Sequence, residues 1–136
     1  MKNSEILLVL NSYYALKKDD SSCLPTDIAW KRRLNIRELE VAAKVINEAL
    51  TDLDDKYADE EHSEVKAITD KDGNESNVRV VKSEYIDAYA KEKADLLNQD
   101  TDVKIRKFKM EDLGKKEITE KVLDTLEFMA EEDSDG

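Results

Sequence analysis

The apolar positions of this chain fall into four runs with helical spacing, interrupted by two stretches of a different period. The longest run extends from Thr26 to Tyr57. In it Leu39, Ala42, Ala43, Ile46, Ala49, Leu50, Leu53 and Tyr57 recur at steps of three and four. At about 3.6 residues per turn such steps share one stripe of a helix. Arg37, Glu38, Glu40, Lys44, Glu48, Asp52 and Asp55 take the other sides. A helix of that length measures roughly 45 Å, more than one small core covers, so the pattern predicts a second long helix against it.

Residues 4–18 predict a first helix, with Ser4 as N-cap, Ile6, Leu7, Leu10, Tyr13, Tyr14 and Leu16 as its apolar set, and Lys17 and Lys18 in the last turn. After a polar break, Leu24-Pro25 leads into the long helix, which Thr26 or Asp27 can cap. Ile28 and Trp30 are expected to pack on the first helix. Beyond the acidic segment 58–63 the period changes. Val65, Ala67 and Ile68 precede Asp72-Gly73, and Val78, Val80 and Val81 follow it. This predicts a β-hairpin over residues 64–82, because glycine accepts the positive φ of a tight turn.

Residues 83–99 return to helical spacing through Tyr85, Ile86, Tyr89, Ala90, Leu96 and Leu97. They are the expected antiparallel partner of Leu39–Tyr57, joined to it by the hairpin. Val103, Ile105 and Lys107 then alternate with Lys104, Arg106 and Phe108, which predicts a strand. A helix over Glu117–Glu132 follows, with Ile118, Val122, Leu123, Leu126, Phe128 and Met129 inward. The expected fold is therefore mostly α with a small β element: a long antiparallel helical hairpin tied by a β-hairpin, flanked by terminal amphipathic helices. It reads as a single domain over residues 1–130 with a tip near 64–82 and an acidic tail over 131–136.

Composition sharpens the picture. Among 136 residues there are 3 Gly and 1 Pro, few places for loops, and 40% of the chain is charged. No apolar run approaches the ~18–20 residues of a membrane span, and no secretory signal pattern opens the chain, so a cytoplasmic setting is expected. Cys23 has no second cysteine with which to pair, which fits a reducing compartment. The net charge of −11 is uneven: residues 1–58 hold 9 basic and 10 acidic side chains, and the remainder holds about −10. That field disfavours direct contact with nucleic acid or anionic lipid and suits solubility or a basic protein partner. Lys31, Arg32, Arg33 and Arg37 are the opposite case. They form either a docking patch for an acidic surface or a solvated face paired with the chain's own carboxylates.

The chemistry-bearing residues do not assemble into a catalytic pattern. Asp70, Asp72 and Asn74 match the first three ligand positions of a calcium-binding EF-hand loop. The required glycine, however, would fall at Glu75, and the bidentate glutamate at Val81. His62 sits in an acidic segment and Cys23 beside Leu24-Pro25, with no second group to complete a nucleophile–base set. No glycine-rich phosphate loop and no zinc spacing occurs. Adjacent carboxylates such as Asp54-Asp55, Glu60-Glu61 and Glu131-Glu132 splay apart on a helix instead of converging on a substrate. No enzyme activity, metal or cofactor is expected, unless acidic groups gather in a buried pocket around His62 or Cys23. Tyr13, Tyr14, Tyr85 and Tyr89 read as core edges or interface anchors.

The order of features resembles an uncharacterised family of short acidic proteins encoded by phages and prophages of Gram-positive bacteria. The residues that carry it begin with Leu24-Pro25, Ala29-Trp30-Lys31, the charged helix through Leu39 and Ala42, Asp55-Lys56-Tyr57 and the turn at Asp72-Gly73-Asn74. They continue with Leu96-Leu97-Asn98-Gln99, Val103-Lys104-Ile105, Met110-Glu111-Asp112-Leu113 and Leu126-Glu127-Phe128-Met129. The length of the first helix and the Lys31–Arg33 cluster stand outside it. The resemblance implies a phage origin and a non-enzymatic accessory or virion-associated role, with no catalytic residues to carry over.

Two functions are expected on these grounds. The first is an assembly-related or virion-associated protein acting by protein–protein contact, with self-association possible. Its interface candidates are Leu39, Ile46, Leu50, Leu53, Tyr57, Tyr85, Tyr89, Val103 and Ile105. The second is an anti-defence inhibitor that imitates nucleic acid and blocks a host nucleic-acid-binding protein. Asp124, Glu127, Glu131 and Glu132 would form its acidic surface.

Overall fold

The computed structural model describes residues 1–17, 24–114 and 118–131. Among them α1 spans Asn3–Tyr14, α2 Thr26–Lys56, β1 Ser63–Thr69, β2 Glu75–Val81, α3 Ile86–Asn98 and α4 Glu120–Asp124. Single 3₁₀ turns lie at Ser83–Tyr85, Met110–Leu113 and Glu127–Met129. The chain is α+β, dominated by a 31-residue helix and one antiparallel hairpin. Contacts divide it into two compact units. The described residues of Met1–Lys44 and Asp100–Gly136 form one, and those of Val45–Gln99 form the other.

In the first unit the chain's beginning is stitched to residues 100–101. Lys2 bridges Asp100, and the Thr101 N–H donates to the Met1 carbonyl at 2.8 Å. The Thr101 hydroxyl donates to Asn3 Oδ1 at 2.6 Å, and Asn3 is buried. These bonds start α1 at Asn3 with Lys2 as its cap, so Ser4 lies inside the helix rather than capping it. The helix also ends at Tyr14, which leaves Lys17 beyond its last turn, while Lys18 and Cys23 fall outside the described residues. At the start of α2 the Pro25 carbonyl accepts from the Ala29 N–H at 3.0 Å. The capping position is therefore Pro25, not Thr26 or Asp27.

The core of this unit joins Leu24 and Ile28 to Phe108, Leu113, Val122, Leu126 and Met129, with Ile105, Ile118, Leu123 and Phe128 at its margin. Ile28 is buried in this cluster, which holds no residue of α1, and Trp30, two residues further round the helix, is 56% exposed. The expected strand at 103–108 does not form. Only an isolated parallel bridge, Phe108 to Ala130, occurs there. The neighbouring backbone is satisfied by a side chain instead. Asn35 Oδ1 accepts from the Arg106 N–H and its Nδ2 donates to the Arg106 carbonyl, both at 2.9 Å. A buried asparagine thus supplies the donor–acceptor pair that a neighbouring strand would offer.

The C-terminal helix is present, with its apolar set inward, but it is confined to Glu120–Asp124. Thr125 is buried and its hydroxyl donates to the Val122 carbonyl at 2.6 Å. The backbone N–H groups of Thr125 and Leu126 also reach back three residues instead of four. A hydroxyl competing for the i−3 carbonyl tightens the turn and ends the α-helix.

In the second unit β1 and β2 pair from Ser63↔Val81 to Thr69↔Glu75. The connection runs over residues 70–74, where Asp70 Oδ1 accepts from the N–H groups of Asp72 and Asn74, both at 2.9 Å. Gly73 adopts φ +82°, where a side chain is strained. The calcium-ligand match at Asp70, Asp72 and Asn74 is thus a turn device between strands. Helix α3 returns antiparallel beside the end of α2, where Lys56 Nζ meets Glu92 Oε1 at 2.7 Å. At 13 residues α3 is roughly 20 Å long. The stripe of α2 from Val45 onward shares a unit with it, whereas Leu39 and Ala43 are buried in the first unit. The expected partner over residues 83–99 is present as the 3₁₀ turn and α3.

Candidate functional site

The densest grouping of chemistry-bearing side chains lies where α2 gives way to the hairpin. Tyr57, just past the end of α2, is 6% exposed. The chain then turns sharply. The Ser63 N–H donates to the Asp59 carbonyl at 2.9 Å, and the Ser63 hydroxyl donates to the Ala58 carbonyl at the same distance. Asp59 Oδ1 accepts from the His62 N–H at 2.9 Å and lies 2.7 Å from the ring Nδ1. This fixes the imidazole against two tyrosines, with ring centroids 5.4 Å from Tyr57 and 4.6 Å from Tyr85. Tyr89 meets Tyr57 edge-on at 5.4 Å. Such edge contacts align positive ring edges with negative faces.

Polar groups rim the tyrosines. The Tyr89 hydroxyl donates to Asp54, which pushes the phenol's pKa above its ordinary value. Tyr57 is raised in the same way by its hydrogen bond to Glu92. Glu92 is held below the usual carboxylate range, first by Lys56 and then by Tyr57. Asp59 is also depressed, first by the hydrogen bond from the His62 side chain. A depressed carboxylate contributes stability above its unfolded pKa and loses that contribution as pH falls through the folded value. With His62→Ala the Asp59 titration is expected to move part of the way back up, since the backbone N–H of residue 62 remains. Carboxyl NMR titration checks this. An unchanged Asp59 would remove the imidazole as the cause.

A cleft of about 320 Å³ opens beside this cluster, lined among others by Asp54, Tyr57, Ser63, Arg79, Val81 and Tyr89. His62 is not among its lining residues. The Ser63 proton is committed to backbone carbonyls, and Arg79 donates to the Ser63 oxygen at 2.9 Å. His62 Nδ1 faces Asp59. Serine and imidazole are thus each engaged elsewhere and form no nucleophile–base pair. Asp59, Glu61 and His62 do bring ligand atoms within 4.8 Å of one another, a grouping that their sequence spacing did not announce. Two of the three are exposed. An exposed carboxylate pair with a hydrogen-bonded imidazole is common on acidic surfaces and does not by itself make a metal centre.

The residues expected to make contacts separate by burial. Leu39, Ile46 and Tyr57 are taken up by the chain's own interior, and Leu50, Leu53, Tyr85, Tyr89, Val103 and Ile105 are half-buried. Asp124, Glu127 and Glu131 are exposed, and Glu132 lies outside the described residues. The basic cluster also divides. Arg33 and Arg37 are exposed, but Arg32 is 4% exposed. Arg32 Nη1 donates to the Thr125 hydroxyl at 2.8 Å, and the guanidinium lies over the Tyr13 ring at 5.3 Å. Burial pulls its pKa below the ordinary value. Neither a continuous docking patch nor a wholly solvated face describes the four cations.

Asn35, Arg32 and Thr125 were missed as structural polar residues. The available signal was that Arg32 and Asn35 stand in line with Ile28 and Leu39 at helical spacing, inside the apolar stripe. No helix among the described residues is long and apolar enough to cross a membrane. No family model, curated protein or solved structure matches the chain.

Proposed function

We propose that this chain is a phage-encoded, non-enzymatic accessory protein that acts by protein–protein contact, in particle assembly or as part of the virion. The observation that carries this reading is the apolar surface left in solvent. On α2, Trp30, Val41 and Val45 are 56%, 71% and 63% exposed, and on β1 Val65 and Ile68 are 57% and 50% exposed. Trp30, Val41 and Val45 share one side of α2, and large apolar side chains grouped in that way mark contact surfaces more often than isolated ones do. The phage setting rests on the motif order of the sequence. The partner is a phage structural protein, a host factor or a second copy of the chain, met in the host cytoplasm or in the particle. Nucleic acid and membranes are not direct partners in this reading.

Mass spectrometry of purified virions tests it. The chain is expected in the particle, or bound to one of its components in a pull-down. Absence from both would overturn the proposal. A second reading, an acidic inhibitor of a host nucleic-acid-binding protein, draws on Asp124, Glu127 and Glu131. All three are exposed and make no ion pair among the described residues. Its mark would be a complex that weakens steeply with salt and on neutralising those carboxylates.

A further inference from the structure

The cleft of about 320 Å³ beside the tyrosine cluster is built from one compact unit, since its lining residues all fall within Val45–Gln99. The last turn of α2 and the residue after it supply Asp54 and Tyr57, and the start of β1 supplies Ser63. Strand β2 adds Arg79 and Val81, and α3 adds Tyr89. Two of the lining residues carry charge, Asp54 and Arg79, and the charges are opposite. Both side chains are exposed. Neither makes an ion pair, with the other or with any further group, among the described residues.

Each of the two is nevertheless held in place. The Arg79 guanidinium donates from Nη1 to Ser63 Oγ at 2.9 Å, and that oxygen is fixed by its own bond to the Ala58 carbonyl at 2.9 Å. A guanidinium carries five N–H donors in a planar fork, so one bond to serine leaves donors that fit a carboxylate. Asp54 accepts from the Tyr89 hydroxyl, which orients the carboxylate without neutralising it. Tyr57 and Tyr89 meet edge-on at 5.4 Å, and with Val81 they give the cleft apolar walls. Apolar walls with a few convergent polar groups are the usual form of a small-molecule site.

We infer that this cleft binds a small zwitterion, a free α-amino acid with an apolar side chain. Its carboxylate sits on Arg79, its ammonium on Asp54, and its side chain against the tyrosines and Val81. The charges select this class. A simple anion that reaches Arg79 also faces Asp54, and a simple cation meets the reverse conflict. A ligand carrying both signs satisfies both groups at once. Volume sets the size, because about 320 Å³ lies near the lower end of ligand pockets, roughly 300–1,000 Å³. That suits an amino acid, whereas a nucleotide cofactor needs more room and a peptide terminus brings only one of the two charges. The inference goes beyond the contact-based function and does not rest on it.

Calorimetric and NMR titration of the full chain with L-phenylalanine tests it, at about 0.15 M salt to screen the net charge of −11. A dissociation constant of about 1 mM is expected for so small a ligand, with the Tyr57 and Tyr89 ring signals shifting. N-acetyl-L-phenylalanine lacks the ammonium and L-phenylalaninamide lacks the carboxylate, so each should bind at least about tenfold more weakly. Substitutions then separate the two charges. Arg79→Gln should bind L-phenylalanine and its amide alike, and Asp54→Asn should bind L-phenylalanine and its N-acetyl derivative alike. No binding of L-phenylalanine, equal binding of all three compounds, or variants that keep the parent's preferences would overturn the inference. The three compounds compared on the parent chain need no substitution, so that result decides even where a variant folds poorly. Detection of the chain in virions bears on the contact function alone, so the two readings fail separately.

Discussion

Asn35→Ala is expected to lower the stability of the fold by about 3 kcal/mol, measured by urea denaturation against the parent chain. Asn35 is fully buried, and its amide bonds both the N–H and the carbonyl of Arg106 at 2.9 Å. Truncation removes two hydrogen bonds at once and leaves both partners part-buried without replacements. An unmade buried bond costs about 1–3 kcal/mol per group, and the lost amide volume beside the Met129 sulfur at 3.6 Å adds to it. Asn35→Asp separates the two bonds. One carboxylate oxygen can still accept from the Arg106 N–H, but the other would face the Arg106 carbonyl, which favours protonation of the new carboxyl and raises its pKa in the folded chain. A raised carboxyl pKa contributes stability below its unfolded value and loses it as pH rises through the folded value. That variant should therefore lie closest to the parent near pH 4 and furthest from it at neutral pH. A loss below about 1 kcal/mol for Asn35→Ala, with no pH trend for Asn35→Asp, would mean that residues 101–107 hold themselves without the helix.

Phe108→Ala should cost about 3–5 kcal/mol, the usual range for deleting a buried aromatic side chain. Phe108 is 1% exposed and is the largest fully buried side chain among the described residues. It lies in the cluster of Ile28, Leu113, Val122, Leu126 and Met129. Its backbone also ties residues 129–131 in place, accepting from the Glu131 N–H at 2.8 Å and donating to the Met129 carbonyl at 3.0 Å. Those bonds need no side chain, so the loss should arise from packing. Phe108→Leu, which keeps most of the apolar volume, is expected to cost well under half as much. Thermal melts of both variants decide the matter. Equal losses would point to backbone rearrangement instead of a cavity.

Read along the chain, the elements that carry their own period were legible in advance. The α2 stripe from Leu39 to Tyr57 and the hairpin on either side of Asp72-Gly73 appear within about one residue of their expected bounds. Helix α3 does as well, preceded by its 3₁₀ turn. In each case side-chain spacing and local backbone preference point the same way. The Val103–Phe108 segment alternates as a strand does, yet it meets a buried amide in place of another strand. Alternation reports which side chains face inward, not what accepts the backbone hydrogen bonds.

The candidate site was less visible. The sequence puts His62 in an acidic segment. Its enclosure between Tyr57 and Tyr85 depends on the turn at Asp59–Ser63 and on the 3₁₀ turn Ser83–Tyr85 returning to the same place. Tyr85 comes from beyond the hairpin, and no local pattern brings it to His62.

The amino-acid order by itself determined the helix and hairpin periods, the acidic balance and the apolar positions, because these depend on neighbours a few residues apart. Tertiary structure alone decided where α1 and α4 stop, which groups the inward Arg32 and Asn35 bond, and that Trp30, Val41 and Val45 remain in solvent. Those outcomes depend on which distant groups satisfy a buried carbonyl or cover a helix face, and side-chain spacing does not encode that choice.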